Sequence, residues 1–479
     1  MQIAYYVVAW VPPEGLERLC LQISKAKSDD EQSGSLRDLT EYDMESSIER
    51  PGAFPVLPII EEIVRRAERT EPKPLEGLIF VCVQHLLSTF GSELVALLRL
   101  GLSPVQTYVL GKPYSTNAAV AAAIEERGVN LMSNTLQTTH GAYATTFEGD
   151  VGRMWQKVVH DIAHLGAKRI IILDEGGFCL RAAPQALVEA ITVVGIEQTT
   201  SGLRLASPFF RFPVIEVATS AAKRIIEPPV VSAAVFGRVR AILDPSRIVG
   251  VVGLGAIGAT IAADLVRGGH TVFVYDAHPA PESVVDGATL CPTLDDLFVQ
   301  VDYVLGCTGV DLGAGAWLET ATGSKTLISC SSGDIEFRSL LLLAEEQRDI
   351  SIVLDPFADV LLTRKRLALR IVRGGFPVNF DGAPDSAPPA DIEMTRSLLV
   401  GAVLQAAYTR GTSCGAGYSE MLNVALQRFV VTRWLNARAE RGLNTPYVNA
   451  PEQFNDLDFV RRHSSGVEHD TGELSKIFD

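Results

Sequence analysis

From about residue 75 the chain alternates short apolar runs with helical patterns. LEGLIFVCVQ (75–84) reads as a buried strand, and TFGSELVALLRLG (89–101) as a helix ended by Gly101. PVQTYVLG is the next strand, NAAVAAAIEERG a helix closed by Gly128, and AKRIIILDEGG a strand running into an acidic Gly-Gly turn. A second series starts near residue 247 with RIVGVVGLGAIGATIAADLVRGGHTVFVYDAHP and continues through VDYVLGCTG, SKTLISCSSGD and SIVLDPF. Strands alternating with helices of about 10–15 residues predict βαβ units and parallel sheets. The fold class is therefore α/β, with two doubly wound, Rossmann-like domains.

Punctuation residues divide the two series. A Pro-rich stretch at 227–229 and the helical run VSAAVFGRVRAIL join them, and APDSAPPADIE (383–393) marks a second boundary before the long helix pattern MTRSLLVGAVLQAAYT. The apolar start MQIAYYVVAWV reads as a buried strand, and residues 25–52 as a polar surface segment. Residues from about 440 onward are polar and weakly periodic, and read as an arm or tail.

A chain of 479 residues is too long for one core and predicts two or three domains. A hydrophobic share of 47% with 21% charged residues is that of a soluble globular protein. The net charge of −15 argues against a nucleic-acid partner, because no basic patch rises above the acidic background. Seven cysteines stand singly, with no Cys or His cluster at metal spacing. Reduced thiols, a cytoplasmic location and no metal are expected. Nowhere do about 18 apolar residues run without a charge, so no membrane span is expected.

Gly253, Gly255 and Gly258, with Ala256 and Ile257 between them, form G-x-G-x-x-G directly after the strand RIVGVV and at the start of a helix. The first glycine allows a tight turn, the second lets the backbone approach a pyrophosphate, and the third lets helix pack closely on strand. Asp276 ends the next strand, 276 − 258 = 18 residues past the last glycine. A carboxylate there accepts from ribose hydroxyls and repels a 2′-phosphate, which selects NAD as the cofactor. About half the chain precedes this unit, so the substrate domain comes first. The expected division is a first part of the substrate domain at 1–230 and a central NAD-binding domain at 231–384. A return helix to the substrate domain follows at 385–440, then a C-terminal arm at 441–479.

Several segments together resemble the S-adenosyl-L-homocysteine hydrolase family, from about residue 70 to about 410. They are KPLEGLIFVCVQH, STNAAVAAAI, LDEGG, EQTTSGLRL, FPVIEVATSAAKRIIEP and GGFPVNF, in the family's order. The resemblance implies an enzyme that uses NAD to oxidise a nucleoside's 3′-hydroxyl and then eliminates its 5′ group. It implies catalytic roles for Lys223 as base, Glu227 beside it, Glu175 near the sugar and His85 as proton donor. It places Gln198, Thr89 and Leu87 against the substrate, and Thr199, Thr200, Ser201, Thr308 and Asn379 against the cofactor. It also implies a homo-oligomer, a dimer or tetramer. Without it, Lys223 is a solvent-facing cation and His85 a core histidine.

The chain departs from the family pattern in places. No histidine occurs between His278 and His463, and Ser332 and Ser386 stand where the family has two. Gln198 replaces a glutamate, Thr89 and Leu87 replace an acidic residue and a threonine, and Pro228 replaces an asparagine. These changes favour elimination, dehydration or epimerisation of a nucleoside over hydrolysis. True S-adenosylhomocysteine hydrolysis and an NAD-sensing regulatory protein, with 25–52 as a docking element, are the alternatives.

Overall fold

The computed structural model describes residues 54–134, 143–165, 169–206, 211–279, 285–346, 355–409, 417–443, 450–469 and 472–478. The expected N-terminal strand, the segment 25–52 and the first residues of SIVLDPF (351–354) lie outside the described residues.

The described strands form two seven-stranded sheets. The first contains β1 (Ile79–Gln84), β2 (Thr107–Gly111), β3 (Asn130–Met132), β4 (Arg169–Asp174), β5 (Thr192–Glu197), β6 (Val214–Glu216) and β14 (Ser419–Met421). Their order is β14-β6-β5-β4-β1-β2-β3, and every neighbouring pair is parallel. Every residue of β1 and β2 is buried. Continuous burial follows from helices covering both faces, which is why these strands read as apolar runs without alternation.

Helices α1 (Pro58–Thr70) and α2 (Ser88–Arg99) join the core on one face, and α3 (Tyr143–Leu165) joins that on the other. In α1 the buried Ile59, Ile60, Ile63, Val64 and Ala67 recur at helical spacing and form its inward stripe. A short helix, α4 (Thr200–Ala206), follows β5, and α5 (Pro228–Val239) carries the chain to the second sheet. Pro228 starts α5, where its missing N–H costs no hydrogen bond.

The second sheet contains β7 (Val249–Val252), β8 (Val272–Tyr275), β9 (Thr289–Leu290), β10 (Tyr303–Gly306), β11 (Gly323–Ser329), β12 (Val360–Arg364) and β13 (Leu367–Ile371), with α6 (Ala256–Arg267) after β7. Its order is β12-β13-β11-β10-β7-β8-β9, parallel except for the antiparallel β12–β13 hairpin. In that hairpin burial alternates along each strand, because only one face is covered.

Helix α7 (Pro389–Tyr408) then packs into the first sheet's core together with α8 (Val424–Glu440). The stretch beyond residue 440, expected as an arm, places Phe454, Val460, Leu474, Ile477 and Phe478 in that same core. Val467 also pairs with Ser419 and Met421 of β14 through two backbone hydrogen bonds. The short helices at 450–455, 457–462 and 472–478 each bring too few apolar positions to show a period in sequence. No helix among the described residues is long and apolar enough to cross a membrane.

Both sheets share one topological feature. The chain moves outward from a central strand (β1-β2-β3, β7-β8-β9) and then jumps to that strand's other side, to β4 or β10. Open α/β sheets bind ligands at such switch points, outside the carboxyl ends of the strands.

Candidate active site

The switch point of the second sheet carries the glycine turn. Gly253 sits at φ +92°, a conformation that favours glycine, and a Cβ there would lie 2.8 Å from Thr308 and 2.9 Å from the Cys307 carbonyl carbon. A Cβ on Gly258 would fall 1.9 Å from the Gly253 carbonyl oxygen, so this glycine is what lets α6 dock on the turn. Gly255 is different: it is exposed, and a Cβ there would meet nothing within 4 Å. The turn therefore leaves open space at the one glycine where a pyrophosphate must approach, beside the N-terminus of α6.

Ala256 is exposed and Ile257 half-buried beside it. Asp276 accepts from the Leu254 N–H at 2.6 Å and the His278 N–H at 2.8 Å, which ties the turn to the end of β8. The residues present fit NAD. Sequence reasoning gave Glu336 no role, yet its buried carboxylate braces the neighbouring loops. It accepts from the Thr308 N–H and hydroxyl, both at 2.8 Å, from the Gly309 N–H at 2.9 Å, and from the Ser331 hydroxyl. Burial pushes its carboxyl up.

The switch point of the first sheet carries a charged cluster. His85, Lys112 and Glu175 are the residues immediately after β1, β2 and β4, so the sheet order brings them together. His85 Nε2 lies 3.0 Å from Glu175 Oε2, and the Lys112 ammonium contacts the same oxygen. Lys112 is 1% exposed and Glu175 2%. His85 Nδ1 is 2.5 Å from Ser115 Oγ, and its ring stacks on Phe380 at 4.3 Å.

Burial pushes the His85 imidazole below its ordinary value, against the opposing pull of Glu175, so the ring is neutral. Burial alone would raise the Glu175 carboxyl, but His85 and Lys112 hold it well below the usual carboxylate range. Burial alone would lower Lys112, and Glu175 instead holds it above its usual value. Tyr114, over whose ring the ammonium sits at 5.8 Å, is pushed up to about 12 by burial. Lys112, Tyr114 and Ser115 were not singled out from the sequence.

Glu197 braces this end as Glu336 braces the other. It accepts from the N–H groups of Gly176 at 3.1 Å, Gly177 at 2.9 Å and Thr199 at 2.8 Å, and from the Thr199 hydroxyl at 2.6 Å. Lys223 and Glu227 lie where the chain leaves the first sheet, at a π-helical turn (Ala222–Ile226) of a kind rare in proteins and frequent at functional sites. Lys223 Nζ is 3.0 Å from Glu227 Oε1 and donates to the Gln198 carbonyl at 3.0 Å, while the Thr395 hydroxyl donates to Glu227 at 2.7 Å. Gln198 in turn accepts from Gln84 at 3.2 Å, and Gln84 precedes His85.

The two carboxyl ends meet. The Ser332 hydroxyl, after β11, is 3.5 Å from Glu175 Oε1, and Arg204 of α4 reaches the Thr308 carbonyl at 3.4 Å. A Cβ on Gly309 would lie 3.9 Å from Ser201. A cavity of ≈ 20 Å³ opens between Leu87, Tyr114 and Ser115 on one side and Asn379, Phe380 and Ser386 on the other. Two further expected residues lie at the edges of this seam in sequence. Thr200 is exposed, and Thr89 is 1% exposed, with its N–H and hydroxyl on Asp385 at 3.1 and 2.9 Å.

Two doubly wound sheets with facing carboxyl ends, one of them bearing an open glycine cradle, define an NAD-binding protein of two Rossmann-like domains. Residues 248–336 match the family model for the NAD binding domain of 6-phosphogluconate dehydrogenase, and NAD is the cofactor of this domain. The chain belongs to the family of an uncharacterized Mycobacterium tuberculosis protein. Rv0104 of strain H37Rv and MT0113 of strain CDC 1551 are each 32% identical to it over 356 residues, 73% of this chain and 67% of theirs.

Among solved structures the chain is similar to the apo form of D-lactate dehydrogenase from Escherichia coli, with TM-score 0.29 and 14% identity, covering 56% of this chain and 79% of that one. It is also similar to a D-isomer specific 2-hydroxyacid dehydrogenase from Lactobacillus delbrueckii ssp. bulgaricus in its NAD complexed form. There the TM-score is 0.26 and the identity 15%, covering 62% of this chain and 96% of that one.

These findings overturn the resemblance to S-adenosyl-L-homocysteine hydrolases. The family model matched is that of the NAD binding domain of a dehydrogenase. The nucleoside substrate and the elimination or hydrolysis of its 5′ group rested on that resemblance and are withdrawn with it. The physical reason lies in what the quoted segments are. VCVQH, LDEGG and EQTT are strand ends and turns at the carboxyl edge of a parallel sheet, which any doubly wound fold must build.

Proposed function

We propose that this protein is an NAD-dependent oxidoreductase that interconverts an alcohol and a carbonyl on a small polar substrate held between the two switch points. The observation that carries the reading is the open cradle at Gly255 joined, through the Ser332–Glu175 contact, to a buried His85–Glu175–Lys112 cluster. When bound, NAD supplies a hydride acceptor or donor. Gly253, Gly255, Gly258 and the N-terminus of α6 would hold its pyrophosphate, and Asp276 its ribose hydroxyls.

This chain's own residues then manage the proton. A neutral His85 next to an ionised Glu175 is a base whose conjugate acid is stabilised at once by the carboxylate, the arrangement general base catalysis needs. Lys112 keeps Glu175 ionised. Lys223, fixed by Glu227 and the Gln198 carbonyl, has one ammonium N–H left to orient a substrate oxygen. The aromatic ring of Phe380 covers His85 and helps exclude water.

The test is a titration of the full chain with NAD by calorimetry, followed by NADH fluorescence with a panel of secondary alcohols and 2-hydroxy acids. Reduction of NAD by a panel member, lost in His85→Asn, supports the reading. Tight NAD binding with no reduction by any substrate would overturn it in favour of a sensor.

A further inference from the structure

The geometry points to Ser115 as the group through which a substrate hydroxyl passes its proton to His85, making Ser115, His85 and Glu175 one relay that ends in the cavity between the two sheets. This inference rests on the oxidoreductase reading above.

Both nitrogens of the His85 ring are engaged, so His85 cannot touch a substrate directly. Nε2 faces Glu175 Oε2 at 3.0 Å, and Nδ1 faces Ser115 Oγ at 2.5 Å. An ionised carboxylate only accepts, so Nε2 must carry the ring proton. A neutral ring then has a bare lone pair at Nδ1, and the Ser115 hydroxyl must donate to it. Ser115 is held in register by its own N–H, which donates to the Lys112 carbonyl at 3.0 Å. The same loop thus sets both the ammonium that fixes Glu175 and the hydroxyl that meets His85.

With its hydrogen directed at His85, Ser115 has oxygen lone pairs free to accept. It lines the ≈ 20 Å³ cavity along with Asn379 and Phe380. That space suits about one water oxygen, the size of a hydroxyl. On oxidation, the substrate hydroxyl gives its proton to Ser115 Oγ as Ser115 gives its own to His85 Nδ1. The O–H bonding pair would become the second C=O bond, and NAD, when bound, would take the hydride from the carbon. His85 ends as an imidazolium compensated by Glu175, and reduction runs the same path backwards.

The experiment has two arms on the full chain. Nitrogen-15 NMR of labelled histidines, eight in all, reads the His85 tautomer without any turnover, with His85→Asn assigning the signal. The expected result is a proton on Nε2 and a strongly hydrogen-bonded bare Nδ1 that moves to the free-imine position in Ser115→Ala and returns in Ser115→Thr. A proton on Nδ1, or no change in Ser115→Ala, overturns the relay.

The second arm follows NAD reduction with an active substrate from the panel. Ser115→Ala should lower kcat by about 100-fold with NAD affinity unchanged, and Ser115→Thr should recover most of it. Turnover in Ser115→Ala equal to the parent overturns the relay and leaves the oxidoreductase reading standing. If the parent chain itself reduces no NAD, that reading fails, and the NMR arm still decides the tautomer.

Discussion

Replacing Lys112 with Met removes a buried cation at nearly constant side-chain length, and the structure predicts a pH-dependent penalty. Lys112 and Glu175 are 1% and 2% exposed. Removing one partner of such a pair typically costs about 3–5 kcal/mol, because the other charge is left in a poorly solvated place. Here Glu175 has a second neighbour 3.0 Å away that can acquire a charge. In the parent chain burial holds the His85 pKa below its ordinary value of 6.5, and the Lys112 charge adds to that depression. Without Lys112 that depression should shrink, so the His85 pKa should move upward from its value in the parent.

The stability lost in acid then becomes smaller. A base depressed in the folded state makes the parent lose stability as pH falls below 6.5, since the unfolded chain binds the extra proton. In Lys112→Met His85 gives up less stability below pH 6.5, the saving being about 1.4 kcal/mol for each unit by which its pKa moves up. The variant should therefore be about 3–5 kcal/mol less stable than the parent near pH 8.5, with that penalty smaller by up to about 1.4 kcal/mol near pH 5.5. Urea unfolding followed by tryptophan fluorescence at both pH values measures it, and a histidine NMR titration reads His85 directly. An equal loss at the two pH values, or a His85 that does not move upward, would refute the charge assignment at this cluster.

Four further outcomes follow from particular contacts. Gly255→Ala should fold with stability close to the parent yet bind NAD at least about tenfold more weakly, because its Cβ enters open space where the pyrophosphate approaches. Gly258→Ala should lose both stability and NAD binding, since its Cβ falls 1.9 Å from the Gly253 oxygen; calorimetry with thermal unfolding separates the two variants. Glu336→Ala strands the donors of Thr308, Gly309 and Ser331 and should cost on the order of 3 kcal/mol in urea unfolding. Burial raises the Glu93 carboxyl, despite Arg396 at 3.1 Å, from 4.5 to about 7, so the parent should lose stability on the order of 3 kcal/mol as pH rises from 4.5 to about 7. Glu93→Gln should flatten that slope, and an unchanged slope would show that Glu93 is ionised throughout.

The periodicity of the chain carried most of the secondary structure. Buried strands such as LIFVCVQ and RIIILD have no alternation to read, but their length and the glycine-ended helices between them sufficed. The cradle at Gly253–Gly258 was legible because its requirements are local: a turn, a close approach and a helix start within six residues. Pairing across the sheet was not local. That Lys112 would meet Glu175 depends on the order β4-β1-β2, in which strands distant in sequence become neighbours. The brace carboxylates Glu197 and Glu336 were hidden for the same reason, since what marks them is the set of loop N–H groups converging on them. The C-terminal helices failed differently, because their apolar residues complete a core built by α1, α7 and α8 and form no stripe of their own.

A usable signal was nevertheless present in the sequence. His85, Lys112 and Glu175 each stand one residue past the end of a strand, and in the second sheet Gly253 and Cys307 stand one residue past β7 and β10. In a doubly wound sheet these positions share one edge whatever the strand order turns out to be, because all the parallel strands point the same way. Polar residues there are neither solvated by the helix layers nor needed for the core, so a histidine, a lysine and a glutamate in that register have few structural reasons to be present. The segments that suggested a nucleoside enzyme came from this same edge, where their shared geometry reflects the fold. What distinguishes this chain is the chemistry placed there: a neutral imidazole between a hydroxyl and a carboxylate, with a buried ammonium holding the carboxylate ionised. That combination is suited to moving a proton and has no need of a particular sugar, so on the oxidoreductase proposal the identity of the substrate must be sought in what fills the seam between Ser115 and Asn379.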